Sequence, residues 1–167
     1  MKTTLARALA AATLLFTLAA QGVHAADAGD IADGQNLFLN KGACQGCHGW
    51  AGDGRKTDNQ QPDGANLRET QLDRELIIMT IKCGRPGRSM PAYDRFAYSQ
   101  NDGRCYGMKT GDLKNNPLPD APATLQLREI ERIADFLFAK VIKQGALDRA
   151  KCTAFWGSEV EACREFK

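Results

Sequence analysis

Histidine is almost missing from this chain: 167 residues contain two, His24 and His48. His24 lies in a stretch with the marks of a removable leader, so His48 is expected to be the sole imidazole of the processed protein. That excludes any site built from two imidazoles, including distal acid–base work by a second histidine. An excess of charge is missing too. The leader carries Lys2 and Arg7 and no carboxylate, so 22 basic and 20 acidic residues become 20 against 20. A neutral chain lacks the basic footprint of nucleic-acid binding. Beyond residue 25 no run is long or apolar enough to cross a membrane.

The leader is read from Lys2 and Arg7, the apolar run Ala8–Ala20, and Val23-His24-Ala25, a loose small-x-small cleavage signal. Thr13 and Thr17 interrupt the run, which is short for an uncleaved anchor. Residues 1–25 are therefore expected to be a signal peptide cut after Ala25. Export fits the chain's six cysteines, since thiols pair in an oxidising compartment such as a bacterial periplasm.

Two of those cysteines stand in Cys44-Gln45-Gly46-Cys47-His48, a C-x-x-C-H run. On one helical turn, thiols three residues apart reach the two vinyl groups of one porphyrin, and the next residue aims its imidazole at the iron. A structural zinc half-site would need a second Cys/His pair at metal spacing, and a thioredoxin-like dithiol a βαβ setting; neither is present. The unit does not repeat, so the expected cofactor is one covalent haem c, bound by Cys44, Cys47 and His48.

With a single histidine, the sixth iron ligand must be another residue type, and methionine thioether is the common soft partner. Met79 falls within Leu72–Lys82, where Leu72, Leu76, Ile77, Thr80 and Ile81 recur at helical spacing, so a packed or half-exposed helical position suits it better. Met90 follows Gly84-Arg85-Pro86-Gly87-Arg88-Ser89 and precedes Pro91. Such a stretch breaks the helix, and the proline holds Met90 extended. Met90 is the expected ligand, with Met108 the alternative.

Gly34-x-x-x-Phe38 before the C-x-x-C-H run, then Ile81-Lys82-Cys83-Gly84-Arg85-Pro86-Gly87-x-x-Met90-Pro91-x-Tyr93, then Leu127-x-x-Glu129-Ile130-x-x-Ile133-Ala134-x-Phe136-Leu137 resembles the class I c-type cytochromes over about residues 31 to 143. The resemblance implies an all-α fold with terminal helices crossing beside the haem. Independently, Asp30–Asn40 places Ile31, Gly34, Leu37 and Phe38 on about one face, and residues 126–143 place Leu127, Ile130, Ile133, Ala134, Leu137 and Val141 on one stripe. These faces are expected to meet at Gly34 and Phe38. The family often has a Gly-Pro-x-Leu segment whose proline carbonyl accepts the proximal histidine's ring proton. The nearest match here is Pro62-Asp63-Gly64-Ala65-Asn66-Leu67, with three extra residues before the leucine, so the resemblance assigns that role to Pro62.

Cys83, Cys105, Cys152 and Cys163 remain, an even number that fits two disulfides in any of three pairings. Nearest neighbours along the chain favour Cys83 with Cys105 and Cys152 with Cys163; the first would clamp the segment bearing Met90. The stretch Asp94–Pro122 is a long insertion rich in Asn, Asp, Gly and Pro, and residues 146–167 form a C-terminal extension on a domain of residues 26–145. The four extra cysteines, the insertion and Arg104-Cys105-Tyr106-Gly107-Met108 are similar to periplasmic c-type cytochromes of methanol metabolism. That likeness implies a quinoprotein alcohol dehydrogenase or a neighbouring cytochrome as electron donor.

Charge is unevenly placed: residues 82–109 carry Lys82, Arg85, Arg88, Arg95, Arg104 and Lys109 against Asp94 and Asp102, net +4. This basic segment either steers an acidic redox partner or pairs Arg85 or Arg88 with haem propionates. Trp50, Tyr93, Phe96 and Tyr98 are the aromatics placed to line the crevice. The sequence therefore predicts a monomeric, single-haem electron carrier rather than an enzyme, working between a periplasmic dehydrogenase and a cytochrome or oxidase of the respiratory chain. The rival readings are a haem enzyme or sensor with a labile sixth ligand and a thiol–disulfide protein using free Cys44 and Cys47.

Overall fold

The computed structural model describes residues 27–166; the expected signal peptide lies outside the described residues. Five α-helices, α1 Ala28–Leu39, α2 Gln45–His48, α3 Arg74–Cys83, α4 Leu127–Lys140 and α5 Arg149–Trp156, are joined by loops and three short 3₁₀ turns. Among the described residues there is no β-strand, only an isolated bridge between Cys105 and Met108. No helix among them is long and apolar enough to cross a membrane.

The helix starts are written in side chains. The Asp27 carboxylate accepts the Asp30 N–H at 2.7 Å and the Asp73 carboxylate accepts the Leu76 N–H at 2.8 Å, each satisfying an amide that the first turn leaves open. At α4, Gln126 and Glu129 form a capping box. Glu129 also takes an ammonium hydrogen bond from Lys41 at 2.6 Å, fastening the start of α4 to the chain leaving α1. Helix α4 stops at Lys140 rather than running to residue 143. Val141 and Ile142 turn inward and are buried, and Lys143 takes a positive φ of 60°.

Helices α1 and α4 cross at Gly34. A methyl group on Gly34 would sit 2.0 Å from the Arg132 carbonyl oxygen and 2.8 Å from Phe136 Cβ, so only glycine admits this approach. Phe38 and Phe136 pack beside the crossing with ring centroids 5.5 Å apart. Half-exposed ion pairs frame it: Arg132 holds Asp30 at 2.6 Å and Asp33 at 3.0 Å, and Arg74 of α3 holds Asp135 of α4 at 2.7 Å. Each such pair contributes roughly 1 kcal/mol or less, so the apolar seam sets the geometry.

The seam is narrower than the periodicity implied. Leu127 is exposed because the first residue of α4 lies beyond the crossing, and α3 buries Ile77, Ile78 and Ile81 while Leu72 and Leu76 stay exposed. The main core joins these isoleucines to Phe38, Ile130, Ile133, Phe136 and Leu137, and Phe155 of the C-terminal extension is part of it. Trp50 packs on Phe155, Trp156 and Phe166, so the extension covers the segment just after His48. A second, smaller core lies under the insertion and contains Cys83, Ala97, Tyr98 and Cys105. Disulfides join Cys83 to Cys105 and Cys152 to Cys163.

Candidate functional site

The C-x-x-C-H run forms the single turn of α2, entered through Ala43 at a positive φ of 47° and left through Gly49 at 77°. Both cysteines are free thiols. Burial pushes the Cys44 thiol up to about 12 and raises that of Cys47 as well, where the Asp58 carboxylate adds to the effect.

His48 is held from behind. Its Nδ1 lies 2.8 Å from the Ala65 carbonyl oxygen, an acceptor only, so Nδ1 carries the proton and Nε2 keeps its lone pair. Burial lowers the imidazole's affinity for a second proton, the Ala65 carbonyl works against that, and Arg85 lowers it further. The neutral, ligand-competent ring is the result. The role assigned to Pro62 therefore belongs to Ala65. Counted back from Leu67, Gly64-Ala65-Asn66-Leu67 occupies the frame of Gly-Pro-x-Leu, with alanine in the proline position. The contact uses a backbone carbonyl, which any residue provides. Gly64 lets the loop lie this close: its N–H donates to the Cys47 carbonyl at 3.0 Å, and a Cβ there would fall 2.8 Å from His48 Nδ1.

Two adjoining cavities, of about 200 and about 420 Å³, share Cys44, His48, Ala65, Ile81, Arg85 and Met90 in their walls. The first is lined mostly by apolar side chains of α1, α3 and α4 and of the loop between α2 and α3, with Phe38, Leu67, Ile77, Ile133 and Leu137 among them. The second opens toward Cys47 and Pro91. Leu72, exposed on the outside of the α3 entry, borders the first cavity, which accounts for an apolar residue at that position.

Met90 is thus brought to the cavities that hold His48. Met79 and Met108 are not; both pack on the second core under the insertion. The Met90 strap is fixed by its backbone, because the Arg85 N–H donates to the Met90 carbonyl at 3.0 Å and the Tyr93 N–H donates to the Ile81 carbonyl at 3.1 Å. Of the four aromatics considered from sequence, Tyr93 alone lines the crevice, its hydroxyl donating to the Gly42 carbonyl. Trp50 belongs to the C-terminal aromatic cluster, Tyr98 donates to the Cys83 carbonyl in the second core, and Phe96 is exposed beneath the Arg95 guanidinium. The apolar faces of Trp50 and Tyr98 are used for packing elsewhere, which sequence spacing does not reveal.

The donor set fits a covalent haem. Two neutral thiols stand on a one-turn helix beside an apolar slot, an imidazole of fixed tautomer and a thioether border the same space, and Arg85 supplies a cation on the shared wall for carboxylates. Residues 29–103 match the family described as cytochrome c oxidase, cbb3-type, subunit III. No significant match exists among curated proteins or solved structures.

Proposed function

We propose that this c-type cytochrome, with its covalently bound haem c, is an exported periplasmic carrier of single electrons whose iron is held by His48 and Met90. The haem supplies a one-electron couple between ferrous and ferric iron. The chain does the rest. Cys44 and Cys47 would anchor the group through thioethers, the Ala65 carbonyl orients the imidazole, and the apolar walls from α1, α3 and α4 exclude water. A thioether ligand and a dry surround favour the reduced state and raise the potential, which suits passage of electrons toward an oxidase. The observation that carries this reading is the placement of Cys44, His48 and Met90 on the same two cavities.

The ligand assignment is tested by absorption of the oxidised protein. Met90→Ala is expected to abolish the weak far-red band of thioether-ligated ferric haem, and Met108→Ala to keep it. The reverse result would move the ligand to the insertion.

The partner reading rests on charge and access. A groove of about 950 Å³ opens beside Cys47, between Gln45 and Gly46 on one side and Arg88, Pro117 and Pro119 on the other. The groove's own charged residues, Asp58, Asp120 and Arg88, nearly cancel, so the preference for an acidic redox partner, met through weak and rapidly exchanging contacts, rests on the net +4 of residues 82–109. The proposed donor is a quinoprotein alcohol dehydrogenase of methanol oxidation or a neighbouring cytochrome, and the acceptor a cytochrome or oxidase. Mixing the purified protein with such dehydrogenases and their substrates tests this: reduction is expected, and failure with every quinoprotein alcohol dehydrogenase would remove the methanol link while leaving the carrier intact.

Arg85 gives a second test. Its charge on the shared wall disfavours the more positive ferric state, so Arg85→Gln is expected to lower the midpoint potential by an amount on the order of 1 kcal/mol at protein-like dielectric. Spectroelectrochemical titration measures it. An unchanged potential would place the guanidinium outside the influence of the haem.

A further inference from the structure

A haem anchored by Cys44 and Cys47 moves with the turn that carries those cysteines, whereas Met90 belongs to a different stretch of chain, the strap that follows α3. Covalent bonds would tie the group to the first; only coordination would tie it to the second. How firmly the Met90 sulfur stays on the iron therefore depends on how firmly the strap is fixed to that turn.

Most hydrogen bonds of the strap lead elsewhere. The Arg85 N–H returns to the Met90 carbonyl, the Gly87 N–H donates to the Pro117 carbonyl of the insertion at 3.1 Å, and the Tyr93 N–H donates to the Ile81 carbonyl of α3. The Leu125 N–H, just before α4, donates to the Tyr93 carbonyl at 2.9 Å. One bond crosses to the haem-bearing turn. The Tyr93 hydroxyl donates to the Gly42 carbonyl at 2.5 Å, and among the described residues no other hydrogen bond joins residues 84–93 to residues 41–48.

Both ends of that bond are fixed. Tyr93 is buried in the main core, on which Cys44 and Met90 also pack, and its N–H and carbonyl are both engaged, so the ring has a set origin. At the other end, the Gly42 N–H donates to the Leu37 carbonyl at 2.8 Å and the Cys44 N–H to the Phe38 carbonyl at 3.0 Å, which fastens the turn to the end of α1. Gly42 also stands against the first anchoring sulfur: a Cβ there would lie 3.0 Å from Cys44 Sγ.

We infer that Tyr93 is a positioning residue for the sixth iron ligand, its hydroxyl latching the Met90 strap to the turn that anchors the haem through Cys44. The inference rests on Met90 being that ligand. The ring and the hydroxyl have separable duties here: the ring fills the core, and the hydroxyl sets the strap against the turn. Phenylalanine keeps the first and removes the second, so Tyr93→Phe retains the packing that folding requires.

Imidazole is the probe, added to the full haem-loaded protein in its oxidised state. At saturating imidazole the displacement rate becomes the rate at which the Met90 sulfur leaves the iron. Tyr93→Phe is expected to keep the far-red band and to release the sulfur about tenfold faster, because the strap loses its bond to the turn and the Gly42 carbonyl is left unpaired. Cys152→Ala with Cys163→Ala, which lowers stability at the C-terminal extension, is expected to keep the parental release rate. That comparison separates positioning from general stability. A parental rate in Tyr93→Phe, or an equal acceleration in the extension variant, would overturn the latch and leave Met90 as the ligand when Met90→Ala abolishes the band. A band that survives Met90→Ala would instead overturn the ligand assignment and the latch with it.

Discussion

Gly34→Ala is expected to destabilise the protein by about 3 kcal/mol or more, lowering its unfolding temperature by roughly 10 °C. The sign is opposite to the usual one. Replacing a helical glycine by alanine ordinarily gains about 1 kcal/mol, because the unfolded chain loses freedom and the helix gains propensity. At Gly34 the added methyl would lie 2.0 Å from the Arg132 carbonyl oxygen and 2.6 Å from its carbon. Both are backbone atoms of α4 and cannot rotate away. Relief requires α1 and α4 to separate, which unpacks Phe38 from Phe136. Because Phe38, Ile133 and Leu137 also wall the first haem cavity, the same displacement should loosen the cofactor's surround. Gly111→Ala is the control: its position has ordinary φ and nothing within 4 Å of a new Cβ, so it should be neutral or slightly stabilising. Denaturant unfolding of both variants checks the pair. A Gly34→Ala protein as stable as its parent would mean that the helices do not cross this closely.

What the sequence made legible was whatever is encoded by residue type at fixed spacing. Gly34 and Phe38 facing the α4 stripe, the one-turn C-x-x-C-H helix, and the Gly/Pro strap before Met90 are all local patterns, and they place the helices and the three donors. Backbone chemistry was not legible. The Ala65 carbonyl that orients His48 carries no side-chain signature; the nearest proline, Pro62, lies three residues upstream, and only the spacing to Leu67 marks position 65. Likewise Arg68 looks like an ordinary surface arginine until the chain after Lys140 folds back over it. The aromatics divided for a similar reason: Trp50 and Tyr98 have partners distant in sequence, in the extension and the second core, while Phe96 stays exposed under the neighbouring Arg95.

Removing the Cys83–Cys105 bond is expected to do two separable things. Its partners lie 22 residues apart, and releasing that loop in the unfolded chain should cost about 3 kcal/mol in the chain-entropy model. The effect on the site follows from what adjoins the bond. Cys83 ends α3, and Gly84 and Arg85 follow it directly. The Tyr98 hydroxyl donates to the Cys83 carbonyl at 2.9 Å, the Tyr106 hydroxyl to the Gly84 carbonyl at 3.0 Å, and the Arg85 N–H to the Met90 carbonyl at 3.0 Å. Gly84 lies so close to the returning strap that a Cβ would meet the Pro91 carbonyl carbon at 2.5 Å. The insertion is thus tied through the disulfide and two tyrosines to the residues that hold Met90. Cys83→Ala with Cys105→Ala should therefore speed displacement of the Met90 thioether by added imidazole severalfold, as well as lower stability. The pair Cys152→Ala with Cys163→Ala, closing a loop of separation 11, should lose roughly 3 kcal/mol of stability with no change in the rate of displacement, since that bond staples α5 to the last turn. Stopped-flow mixing with imidazole separates the two. Equal rates in both double variants would reduce the first disulfide to a stabiliser of the insertion and leave the Met90 strap held by its own backbone bonds.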